Sequence, residues 1–165
     1  MGLAVIMLAF SLWYTIDMGR SLRPSFIEVE FGEYYKICAE LLFKKGFYSF
    51  HVDFGDKKMI GRDLECWDKV HFLKGLGKEV KLTAHIMSMS GSHALSVERI
   101  AEKCIEEGFE IIYIHTRSFN SLSSLIKFKE KVFNNNSQIF GIVSELDNKK
   151  NQTLIDFVIN NSIYN

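Results

Sequence analysis

This chain carries no net charge: twenty lysine and arginine residues balance twenty aspartate and glutamate residues. No excess field draws in a polyanion and no local basic patch stands out, so no nucleic-acid partner is expected and a membrane partner is not favoured. Cysteine is sparse. Cys38, Cys66 and Cys104 are odd in number and widely spaced, and no CxxC pair occurs. That argues against a disulfide framework or a zinc ribbon and predicts buried, reduced thiols, as in a cytoplasmic enzyme. The glycine motifs that cradle phosphates are missing too. No GxGxxG follows a strand pattern, and neither GxxxxGKS nor GxxxxGKT is present, which removes the sequence basis for a dinucleotide or P-loop site. Long apolar runs are likewise absent. The first 17 residues, MGLAVIMLAFSLWYTID, are apolar, but their unbroken run falls short of the roughly 20 residues that span a bilayer. No lysine or arginine precedes it, as a secretory signal would require. Met18 offers a second plausible start. Residues 1–21 are therefore read as a peripheral apolar extension, with an extra packing strand or helix as the alternative, and residues 22–165 as the domain.

What is present is regular. Of 165 residues, 47% are hydrophobic and 24% charged, enough to bury the core of one domain. LRPSFIEVEF reads as a short strand. GEYYKICAELLFKKG has apolar residues at helical spacing, with Tyr35, Cys38, Leu41 and Leu42 on one face and Gly46 as its stop. FYSFHVDF and EVKLTAHIM read as strands, separated by a loop and a short helix. SVERIAEKCIEEGF is the clearest helix, with Ser96 as N-cap, Ile100, Cys104 and Ile105 as its apolar stripe and Gly108 as its end. FEIIYIHT is a nearly continuous apolar run, the mark of a strand buried on both faces of a parallel sheet. SLSSLIKFKEKVFNNN reads as helix, SQIFGIVSE as strand and NQTLIDFVINNS as helix.

The order is five strand–helix units without hairpin signals. Strand ends near Ser25, His51, His85, His115 and Ser144 recur in steps of about 30 residues, the size of one βα unit. Alternating units imply a parallel sheet with right-handed crossovers. A doubly wound open sheet suits five strands. A (β/α)₈ barrel suits the repeat but needs eight units and usually about 250 residues.

The candidate chemistry lies at strand ends, where active sites of α/β folds sit. His51 and Asp53 are two apart on one strand and so share a face. His85 ends the following strand, which as a parallel neighbour brings it beside them. Two imidazoles and a carboxylate are good ligands for a first-row metal and also serve as acid–base groups. The competing reading is structural: strand-end histidines commonly satisfy hydrogen bonds, and an aspartate there commonly caps the next helix.

The ordered series Pro24-Ser25, His51-Val52-Asp53, His85-Ile86-Met87 and His115 resembles the ribulose-phosphate 3-epimerase family. That family opens its first strand with Pro-Ser, carries His-x-Asp on the second and His-Leu-Met or His-Ile-Met on the third, and ends the fourth with histidine. The resemblance covers residues 22–165 and implies strands one to five of an incomplete (β/α)₈ barrel. It implies an isomerase of carbohydrate metabolism that interconverts pentose phosphates, ribulose 5-phosphate and xylulose 5-phosphate, by moving a proton at C3 through an enediolate. It implies a divalent cation (zinc, iron, manganese or cobalt) with His51, Asp53 and His85 as three of its four ligands. Asp53 would also be one of two acid–base aspartates, and Ser25, His85 and Met87 would meet a sugar phosphate.

Departures from the family pattern are equally specific. Phe54-Gly55-Asp56 stands where the family has Met-Asp-Gly, and Ser88 to Ser92 replace an expected proline. The second acid–base aspartate and the Gly-rich phosphate turns belong to later strands; Asp147 and Asp156, in a loop and a helix, do not substitute. The chain is accordingly expected to be a truncated epimerase, inactive alone, completed by a homo-oligomer or a further chain segment. The alternative is a non-catalytic half-barrel serving as a binding or assembly module. A decarboxylase or aldolase of the same barrel group would place a lysine at a strand end, but Lys57 and Lys58 fall in a loop and Lys81 comes too early on its strand.

Overall fold

A computed structural model describes residues 34–133 and 137–143. Helix α1 (Tyr34–Lys44) leads into strand β1 (Ser49–Gly55). Two helices follow, α2 (Lys57–Ile60) and α3 (Trp67–Leu76), then β2 (Lys81–Met87), α4 (Val97–Glu106) and β3 (Ile111–His115). A 3₁₀ turn (Thr116–Ser118) precedes α5 (Leu122–Phe133) and β4 (Ile139–Val143). The first expected strand, the fifth expected helix and the extension at residues 1–21 lie outside the described residues.

The four strands form one all-parallel sheet in the order β1-β2-β3-β4. Right-handed crossovers between strands in sequential order place every connecting helix on the same side of the sheet. Side-chain packing bears this out. Phe50, Val52 and Phe54 of β1, Leu82, Ala84 and Ile86 of β2, and Ile112 and Ile114 of β3 form one core with residues of α1, α3, α4 and α5. Each strand alternates with period two, so the intervening residues face the other way. There stand His51, Asp53, Thr83, His85, Ile111, Tyr113 and His115. Ile111 is buried yet lies outside the helix-facing core. A doubly wound sheet reverses its strand order and covers both faces with helices; the described strands do neither.

Helices α1, α3, α4 and α5 form where their sequences predict. Gly46 and Gly108 end α1 and α4 with φ of +88° and +75°, the left-handed conformation that stops a helix without a Cβ clash. Ser96 is the N-cap of α4, but its buried hydroxyl makes no cap bond. Three expectations need correcting. The buried face of α1 is Tyr35 and Ala39, whereas Leu41 is 56% exposed. Positions 35 and 39 are four apart and stack on one side, and Leu41 falls a half-turn away. Cys66 and Cys104 are buried free thiols, but Cys38 is only partly covered. Lys57 and Lys58 belong to a short helix rather than a loop.

Gly141 lies opposite Tyr113 in the β3–β4 register. A Cβ at position 141 would overlap the Tyr113 ring, which therefore lies across the strand where a side chain would stand. Gly141→Ala is expected to lower unfolding free energy by about 1–3 kcal/mol, the cost of overpacking. Chemical denaturation measures it, and a variant as stable as the parent would contradict the close approach.

Candidate metal centre

The site follows from strand register. Asp53 pairs with His85 across β1 and β2, and both point away from the helices. His51 is two residues earlier on β1, on the same face. His85 Nδ1 lies 3.0 Å from Asp53 Oδ1, and His51 Nε2 lies 3.4 Å from the same oxygen. One ligand atom from each of the three residues falls within 4.8 Å of the others. The group is sheltered: His51 is 4% exposed and Asp53 3%, while His85 is partly exposed. Two imidazole nitrogens and a carboxylate oxygen converging at that spacing could hold a divalent ion.

Electrostatics suit that role. Burial pushes the Asp53 carboxyl upward, but the hydrogen bonds and charges of His51 and His85 outweigh it and hold the group at about 2. Asp53 is therefore a carboxylate at neutral pH, as a metal ligand must be.

A fourth residue joins the site. His115, at the end of β3, is 8% exposed, and its Nε2 lies 2.7 Å from His85 Nε2. The two ring centroids are 4.8 Å apart with planes inclined by 25°. Centroids thus stand farther apart than the nitrogens, which puts the rings tip to tip, the arrangement of an N–H···N hydrogen bond. Burial, followed by the charges of His85 and Arg117, lowers the His115 pKa to about 4, so the ring is neutral at physiological pH. The sequence pattern marked His115 as a strand end but gave it no part in the trio. Its position one strand beyond His85 on the polar face is the signal that could have found it.

Met87 ends β2, next after His85 on the same face, and is partly buried. Ser25 lies outside the described residues. Lys81 sits at the opposite end of β2, exposed and 2.9 Å from Glu110, so it does not approach the trio. Asp53 is the one carboxylate on the polar face of the four described strands.

The departure at Asp56 has a structural explanation. Its buried side chain caps α2, Oδ1 accepting from the Met59 N–H at 2.8 Å. Oδ2 accepts from the Met89 N–H at 2.9 Å. One carboxylate therefore ties the loop after β1 to the loop after β2. The Ser-rich segment is held further by Glu98, which accepts from the Ser90 hydroxyl and the Gly91 N–H, and by a Ser90 N–H bond to the Ser118 carbonyl. These bonds fix the rim around the trio.

No protein-family model matches the chain, and no curated protein matches it. Among the described residues no helix is long and apolar enough to cross a membrane.

The low pKa values set a pH dependence. Below pH 6.5 the histidine of the unfolded chain takes up a proton that folded His115 refuses until about pH 4. The unfolded state then binds more protons, so stability falls as pH drops across that window, by about 2–3 kcal/mol. Asp53 adds a second loss between about pH 4, where its unfolded carboxylate protonates, and about 2, where the folded one does. Urea denaturation from pH 7 to 4 should show the first decline in the wild type and a shallower one in His115→Phe. A flat wild-type profile would contradict the burial of a neutral His115.

Proposed function

We propose that this chain is the amino-terminal βα portion of a (β/α)₈ barrel and that its polar face serves metal-assisted proton transfer beside a sugar-phosphate carbonyl, as in ribulose-phosphate 3-epimerases. The observation that carries the reading is the convergence of His51, Asp53 and His85 at the carboxyl ends of adjacent parallel strands. Sequential strand order with all helices on one face is the winding of a barrel arc, and it supports the same reading.

In this reading His51, Asp53 and His85 hold a divalent cation. When bound, the cation would polarise the substrate carbonyl and offset the negative charge that develops as the adjacent proton leaves. The chain's own residues do the rest. Asp53, ionised and buried, can accept a proton from a carbon lying over the sheet. Burial keeps competing water away and strengthens each charge interaction. Met87, just beyond His85 on the same face, supplies apolar surface at the rim, suited to a planar, delocalised intermediate. Inverting a carbon centre also needs a proton donor on the opposite face, and the described strands present Asp53 alone. That single observation favours the second reading, a non-catalytic half-barrel that binds without turning substrate over.

Two measurements separate these readings. Isothermal titration with zinc should show one site, and Asp53→Asn should weaken it by more than about 100-fold, beyond the effect of losing an outer-shell partner. Exchange of the C3 proton of ribulose 5-phosphate with deuterated solvent should then occur in the metal-loaded wild type and vanish in Asp53→Asn. Zinc binding without exchange leaves the binding-module reading standing; neither binding nor exchange ends the proposal.

A further inference from the structure

Each imidazole has two nitrogens, and a metal-ligating histidine almost always gives its second N–H to an acceptor that fixes the ring. His51 and His85 differ sharply in this respect. The Nδ1 of His51 is buried without a hydrogen-bond partner. His85 engages both nitrogens: Nδ1 faces Asp53 Oδ1 at 3.0 Å and Nε2 faces His115 Nε2 at 2.7 Å. The nitrogen that joins the trio is Nδ1, so Nε2 remains to be oriented, and its partner is another imidazole. An imidazole can accept or donate at the same atom according to where its proton sits.

We infer that His115 is the positioning residue of the metal centre, accepting a hydrogen bond at Nε2 from His85 Nε2–H whenever an ion occupies His85 Nδ1. The inference rests on the proposed metal reading. Proton bookkeeping makes it specific. With both rings neutral and no ion, His85 Nδ1–H donates to Asp53, so its Nε2 is bare and His115 must donate from Nε2. An ion at Nδ1 leaves His85 a single ring proton, which must reside on Nε2. His115 then has to present a bare Nε2 and carry its own proton on Nδ1. Each ring keeps one proton and moves it to its other nitrogen, so the pair exchanges tautomers without net proton release.

Two features make His115 suited to this. The tip-to-tip alignment with the His85 ring already has the direction an N–H···N bond requires. The ring is also only 8% exposed, so little bulk water reaches it to compete for that nitrogen. A carboxylate in this position would instead add a second buried charge to Asp53. A neutral acceptor fixes the ring without one, so that tightening of the site depends on geometry rather than on charge.

The test uses the full chain at pH 8 with zinc alone as the probe. Long-range proton–nitrogen NMR correlations on the labelled protein should report His85 as the Nε2–H tautomer and His115 as the Nδ1–H tautomer once zinc is bound. His115→Phe should weaken zinc by about 10–100-fold. His115→Gln, whose amide oxygen can accept at the Nε2 position, should recover most of that loss. Should His115→Phe fold poorly, the wild-type tautomers decide the matter. Zinc bound through His51, Asp53 and His85, with His115 still protonated at Nε2, would overturn the positioning role and leave the metal centre intact. So would an affinity unchanged in His115→Phe. No zinc binding by the wild type would overturn both.

Discussion

Burying the Asp53 carboxylate is the constraint from which the local architecture follows. A buried anion without partners costs several kcal/mol, and proteins meet that cost with opposite charge, hydrogen bonds or a metal. Asp53 is met by two imidazoles from two adjacent strands. Their placement requires β1 and β2 to be parallel neighbours in one fixed register, because a slip of one residue would turn the set toward the helices. The His85 ring then needs a partner of its own, and β3 provides it in His115. A chain of polar contacts thus runs across three strands, each link making the next one necessary.

The sheet divides labour between its faces for the same reason. One face is uniformly apolar and accepts the helices. The other holds the ionisable groups, away from the largest block of hydrophobic side chains. Sequential winding permits this separation, since all the crossovers stay on one side. The loops at the carboxyl ends of the strands are tied by backbone bonds to side chains from elsewhere, Asp56 across to Met89 and Glu98 back to Ser90 and Gly91. These bonds tether the loops beside the polar patch to one another and to α4.

Much of this was legible from residue pattern. The period-two alternation in SFHVDFG and KLTAHIM puts histidines and aspartate on one face, and parallel pairing follows from the alternation of strands with helices. The strands from residue 49 to 143 stand where the pattern places them. Leu41 shows where pattern fails: an apolar residue near a helical face is buried only when something covers it. Cys38 repeats the lesson. Asp56 shows the same limit for polar residues. In sequence it is a departure from a family motif, and in the structure it is a buried clamp between two loops.

The sequence by itself determined the repeating βα order and the polar trio, because side-chain periodicity and strand alternation are local properties of the chain. Tertiary structure decided which face the helices cover, that His85 divides its two nitrogens between Asp53 and His115, and that His115 belongs to the site at all. Those depend on strand register and ring orientation across 30 or more residues of separation, and no local pattern encodes the direction of an imidazole.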